Sequence, residues 1–205
     1  LAMDELAEDE HARIDQFFEA QVYPVLTPLA VDPGHPFPYI SNLTLSLAVE
    51  LRDPESGEVR FARVKVPKSL PRWVPTGRPN SFVPLEALIA ARLEALFPGM
   101  EVLGCHLFRL TRYSDLDIQH TEEPEDLLAM IEEQLFQRRF GEVVRLEVQE
   151  GMPEHLRALL LDELRASEAP EMAPLSEREV IAPGPLLDVS DLLGLASVDL
   201  PEHRD

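Results

Sequence analysis

One cysteine, Cys105, is all that this chain of 205 residues contains. That excludes an internal disulfide and points to a reducing, cytoplasmic setting. Its surroundings, EVLGCHLFRL, describe a buried and inert thiol rather than a nucleophile. Basic residues are also scarce: 18 Lys and Arg stand against 38 Asp and Glu, a formal charge of -20. Such a surface repels nucleic acid and anionic membrane, so neither is expected as a partner. The nine glycines are scattered, and neither GxGxxG nor GxxxxGK[ST] occurs, so no glycine-rich phosphate loop is written here. No GxSxG elbow or HExxH helix occurs either. No apolar run approaches the ~20 residues of a membrane-spanning helix. The first residues, LAMDELAEDE, are acidic where a signal peptide would be basic.

Proline, by contrast, is plentiful at 19 residues. Five prolines fall in YPVLTPLAVDPGHPFPYISN between Tyr23 and Asn42. Proline fixes φ and removes a backbone donor, so this stretch can be neither helix interior nor central strand. It is expected to be a stiff loop around His35, routing the chain from one element to the next. The remaining composition, 45% hydrophobic and 27% charged, is ordinary for a globular protein, and the length suits one cored domain with or without an appendage. The chain begins with Leu1, not Met, which suggests processing or a piece of something longer.

Periodicity supplies the elements. Residues 4 to 20 pattern as a helix with Leu6, Ile14, Phe17 and Phe18 on one side. LTLSLAVEL then alternates, placing Leu43, Leu45, Leu47, Val49 and Leu51 on one face of a half-buried strand. The turn residues DPESGE lead into VRFARVKVP as the second arm of a hairpin. There Ala62, Val64 and Val66 should face the core and Phe61, Arg63 and Lys65 the other way. Residues 68 to 83 are expected to be loop, including Trp73. Pro84 should open a helix striped by Leu85, Leu88, Ile89, Leu93, Leu96 and Phe97, ended by Pro98 and Gly99. EVLGCHLFRLTRY is apolar on both faces at first, as in a central strand. A helix should follow Thr121, acidic in its first turn and closed by Arg138 and Arg139. EVVRLEVQ is a strand with Val144, Leu146 and Val148 inward, and Pro153 opens a helix with Leu156, Leu159, Leu160 and Leu164 inward. VSDLLGL at 189 to 195 offers one or two helical turns. The fold class expected is α+β: a single domain with a mixed sheet of about four or more strands, including a hairpin, packed by helices.

Two groups of residues carry candidate chemistry. Asp115 and Asp117 share a face of an extended chain with His120 nearby, an incomplete set for a hard cation; strand-end charge is the plainer account. Arg60, Arg63, Lys65, Lys68, Arg72 and Arg78 lie together with no acidic residue among them, in a chain otherwise acidic. Arg63, Lys65, Lys68 and Arg72 form a candidate patch along a polyanion or phosphate path. The alternative is a solvated face, or pairing with acidic helices of the same domain. Arg109 and Arg112 make a smaller basic pair. His106 lies among apolar strand residues as a partly buried histidine, while His11, His155 and His203 are expected in solvent.

Taken in order, VLTPLAVDPGHPFPYISNLTLSLAV, FARVKVP, LPRWVP, FVPLEALI, LFPGMEV, FRLTRYSDLDI and RRFGEVVRLEV resemble the head (middle) domain of the type-1 polyphosphate kinases over nearly the whole chain. The resemblance implies a helix at 1–22 connecting from a preceding domain, the head domain at 23–185, and a linker at 186–205 toward catalytic domains. It implies a parent enzyme that moves the γ-phosphate of ATP reversibly onto polyphosphate through a phosphohistidine, with Mg2+. The family's catalytic histidines, arginines and magnesium site belong to other domains, so no catalytic residue, metal ligand or cofactor is assigned to this piece. The expected role is non-catalytic: dimerisation and shaping of the phosphate tunnel, with the kinase's other domains as partners and peripheral membrane association of the parent left open. A stand-alone interaction or regulatory module is the alternative. A small enzyme using His106, or Asp115, Asp117 and His120, is a third reading.

Overall fold

A computed structural model describes residues 1–31, 37–113, 141–166, 175–184 and 186–196. His35, the Asp115, Asp117 and His120 group, the helix expected after Thr121, and His203 lie outside the described residues. The protein is α+β, with a six-stranded mixed sheet and a separate two-stranded sheet.

The large sheet runs in the order β1 (Pro28–Val31), β3 (Val59–Lys65), β2 (Leu45–Arg52), β6 (Glu101–Arg112), β7 (Val143–Val148) and β8 (Val180–Ile181). The pairs β1–β3, β2–β3 and β6–β7 are antiparallel, and β7–β8 is parallel. Part of the proline-rich stretch is therefore strand, not loop. Proline is admitted because β1 is an edge, with Pro28 as its first residue. The segment expected to be loop at 68–83 also contains strand. Trp73–Pro75 (β4) pairs antiparallel with Phe82–Pro84 (β5).

The backbone falls into two compact units. The first takes the described residues within Leu1–Pro36, Ser46–Leu107 and Asp188–Asp205. Its first helix, α1 (Glu8–Phe17), passes into a π-helical turn at Phe18–Val22 and a 3-10 turn at Tyr23–Val25. Ile14, Phe18 and Val22 are wholly buried, so the apolar stripe read from the sequence continues through the change of helix type. The β2–β3 hairpin turns at Asp53–Glu58, where Asp53 Oδ1 accepts the amides of Glu55 and Ser56. These amides hold the Asp53 carboxyl below its usual range. Gly57 closes the turn at φ 74, a conformation that suits glycine.

β2 was expected to be half-buried, yet Leu45 through Val49 are all buried. Its place between β3 and β6 covers both its edges, and the small Ser46 and Ala48 fill the face that alternation left polar or small. Leu43 does not head the inward row. It adopts φ 54, stands 37% exposed, and turns the chain into the strand. On β3, Phe61 and Arg63 are buried as well as Ala62 and Val64, so only Lys65 of the three residues expected to face away is exposed. The single helix expected after Pro84 is two: α2 (Leu85–Ala90) and α3 (Leu93–Leu96). The chain tightens at Arg92, whose amide reaches back to Ile89 O and whose φ of -125° leaves the helical region.

β6 runs through both units, with Glu101–Leu107 in the first and Phe108–Arg112 in the second. Its apolar start is less buried than expected: Leu103 is 38% exposed. The second unit takes the described residues within Phe37–Leu45 and Phe108–Leu187. Its core joins Ile40, Phe108, Leu110, Leu146 and Val148 to Leu156, Leu160, Leu161 and Leu164 of α4 (Glu154–Ala166). Each buried leucine of this kind contributes roughly 1.5–3 kcal/mol. Val144 is exposed and Val143 is buried, the reverse of the expected alternation. The register slips between Thr111 and Arg112, which pair with Arg145 and Val143, so Val144 is the extra residue of a bulge.

Candidate functional site

The basic stretch from Arg60 to Arg78 has no acidic residue within it, yet three of its six cations, Arg60, Arg72 and Arg78, meet acids from outside it. Arg60 bonds Glu58 at 2.8 Å and Arg78 bonds Glu10 at 2.5 Å. Arg72 pairs with Glu86 at 2.6 Å, both side chains below 10% exposed. A forked guanidinium suits a carboxylate in this way, and burial strengthens the pair while making the loss of either partner costly.

Arg63 lies across from Ala48 on β2 and Leu29 on β1. It is 5% exposed, and its Nε donates to Ser46 Oγ at 3.1 Å. Burial lowers its pKa to about 10, which still leaves it protonated at neutral pH. Of the four residues in the candidate patch, Lys65 and Lys68 are the exposed ones. Lys65 ends β3, and Lys68 follows in the loop, so within the candidate patch the accessible positive charge lies at this strand end.

A second polar centre, not found by sequence reasoning, gathers around Glu10. Its carboxylate accepts the Ala7 amide at 2.9 Å, the Thr76 hydroxyl at 2.8 Å and Arg78. These bonds, the Ala7 amide foremost, hold its pKa down to about 2. Ala7, Asp9, Glu10, Arg13, Thr76, Gly77 and Arg78 line a cavity of about 240 Å³. Gly77 sits at φ 102, and a Cβ there would come within 2.6 Å of Arg13 Nε. The one sequence signal was a Glu in the first helical turn; its tertiary partners lie 66 and 68 residues away.

The remaining candidates are more dispersed. Burial pushes the half-buried Cys105 thiol up to about 12, which keeps it a thiol at neutral pH. His106 is half-buried on β6. A Cβ at Gly104 would stand 3.6 Å from Glu50 Oε2 and 3.8 Å from His106 Nε2. His11 is half-buried and His155 is exposed. Arg109 bonds its cross-strand neighbour Glu147 at 2.8 Å. Arg112 donates to Ile40 O and Gly141 O and lies 4.6 Å from the Tyr39 ring centroid. Among the described residues, no three His, Cys, Asp or Glu are grouped to hold a metal ion. No helix among them is long and apolar enough to cross a membrane.

Comparison with known proteins gives this α+β fold its class. The family model described as the polyphosphate kinase middle domain matches residues 9–195. The polyphosphate kinase of Thermosynechococcus vestitus is 48% identical over 209 residues, covering 98% of this chain and 27% of that protein. That of Streptomyces coelicolor is 50% identical over 200 residues, covering 98% and 25%. The chain belongs to the polyphosphate kinase family, as its middle domain. The crystal structure of polyphosphate kinase from Porphyromonas gingivalis shares the fold, with a TM-score of 0.66 at 21% identity over 97% of this chain and 26% of that one. The chain thus spans about a quarter of the length of the curated relatives it matches.

Proposed function

We propose that this chain is a non-catalytic organising domain of a polyphosphate kinase that moves the γ-phosphate of ATP onto polyphosphate. The observation that carries the reading is the family match over residues 9–195 in a chain a quarter the length of its relatives. The geometry supports it: Arg60, Arg72, Arg78 and Arg109 are each tied to a carboxylate of the chain itself. Phosphoryl transfer requires cations and a metal placed on the group in flight. Among the described residues no three His, Cys, Asp or Glu are grouped where such a metal could sit. The domain's work is structural, holding partner domains and a second copy around the phosphate path in the longer enzyme.

Polyphosphate contact, where it occurs, falls to Lys65 and Lys68, the exposed remainder of the Arg63, Lys65, Lys68 and Arg72 patch. Such binding is weak and salt-sensitive, because two surface amines release few counterions and the net charge opposes it. Two measurements test the proposal. The isolated chain should make no polyphosphate from ATP and Mg2+; turnover abolished by His106→Ala would overturn the non-catalytic role. Labelled polyphosphate should bind the chain more tightly than its Lys65→Ala, Lys68→Ala double variant, and equal affinities would remove the contact. Sedimentation of the longer enzyme with and without this domain reads out the assembly role.

A further inference from the structure

After β8 the chain rejoins the first unit at Asp188. The Asp188 carbonyl accepts a hydrogen bond from Arg72 Nη1. Three residues on, the Asp191 carbonyl accepts the indole N–H of Trp73 at 2.9 Å. The Asp191 carboxylate stands 3.8 Å from the same Arg72 nitrogen. Asp188 Oδ1 accepts both the amide and the hydroxyl of Ser190, at 3.0 and 2.7 Å, which folds 188–190 into a turn ahead of α5 (Leu192–Ala196).

Apolar burial does little to hold this segment. Val189 is 60% and Leu193 80% exposed. Its ties to the 72–86 region include hydrogen bonds from Arg72 and Trp73 and the Arg72–Asp191 ion pair. Arg72 is itself fixed, because Glu86 grips its Nε and Nη2 and leaves Nη1 directed at the strap. One planar guanidinium serves both sides, which a lysine ammonium cannot do with the same fork. The family match ends at residue 195, within α5.

We infer that residues 188–196 form a latched strap, with Arg72 and Trp73 as the catch, and that the catch sets the direction in which the polypeptide leaves the middle domain. Arg72 is a positioning residue in this account. Its place in the LPRW sequence serves the strap and Glu86. The strap can open while the sheet stays folded, since opening breaks a few polar bonds and exposes little apolar surface. The directing role rests on the proposed function; the latch itself does not.

Hydrogen exchange on this chain tests the latch directly. Arg72→Lys and Trp73→Phe should each speed exchange across 186–196 by roughly fivefold or more, the value of one lost hydrogen bond. Exchange in β2 and β3 should stay unchanged. Trp73 is the only tryptophan, so in Arg72→Lys its emission should shift to the red and acrylamide should quench it more strongly. Unchanged exchange in both folded variants would overturn the latch. Should Arg72→Lys fail to fold, Trp73→Phe decides alone, since it keeps the Arg72–Glu86 pair. In the longer kinase, an opened strap should lower kcat by about tenfold with KM for ATP unchanged, as displacement of distant groups does. Unchanged kcat with an opened strap would overturn the directing role and leave family membership untouched.

Discussion

Glu10 and Thr76 meet at 2.8 Å across 66 residues of sequence, with the carboxylate also accepting the Ala7 amide and the Arg78 guanidinium. One side chain therefore caps α1 and ties it to the loop after β4. The strongest pull on its pKa is local, from Ala7, and the tertiary bonds add to it.

This arrangement has a pH signature. The folded-state value of about 2 lies below the ordinary 4.5. The contribution of Glu10 to stability is thus present above pH 4.5 and is lost as pH falls through 2. Glu10→Gln should lower stability at pH 7 and flatten the acid limb between those values. Urea unfolding at several pH values checks it, and parallel limbs for both proteins would contradict it.

The buried pair of Arg72 and Glu86 predicts an asymmetry. Glu86→Leu strands a guanidinium that is 8% exposed and should cost about 3–5 kcal/mol. Joint replacement with Arg72→Met removes both charges and should recover a large part of that loss. A double-mutant cycle by denaturant unfolding measures the coupling.

Leu43 holds φ 54 at a partly exposed turn, while its amide bonds Leu110 O at 2.9 Å. A branched side chain is strained in that region and glycine is not. Leu43→Gly should therefore raise stability by about 1 kcal/mol, visible as a higher Tm. A lower Tm would show that the leucine side chain packs more than its exposure suggests.

Cys105 should resist alkylation. With its pKa raised to about 12, the thiolate is rare at pH 8 in the folded chain. Iodoacetamide should react at least about a hundredfold faster in urea than in buffer. Equal rates would mean that the thiol is open in the native state.

Much of the fold was legible because burial leaves a period. The rows Leu45–Leu47–Val49–Leu51 and Leu156–Leu160–Leu164 lie inside as their spacing implies. Failures had distinct physical causes. Val144 is displaced outward by a bulge that pairing across β6 and β7 creates, and nothing in EVVRLEV announces it. The β4–β5 pair was hidden because strands of three residues are too short to show alternation. The edge strand β1 was hidden by prolines, which forbid a central strand but not an edge.

Among the candidate residues, the cluster from Arg60 to Arg78 shows the limit most plainly. Sequence alone determined that six cations lie close together, that the chain carries the family's middle-domain segments in order, and that its helices and strands bury particular faces. It determined these because composition, motif order and periodicity are properties of neighbours along the chain. Only the tertiary structure decided which cations remain for an outside ligand. Glu10, Glu86 and Asp188 arrive from 68, 14 and 116 residues away and engage Arg78 and Arg72. Lys65 and Lys68 stay in solvent. Charge pairing depends on distance in space, and folding brings in partners that no local window contains.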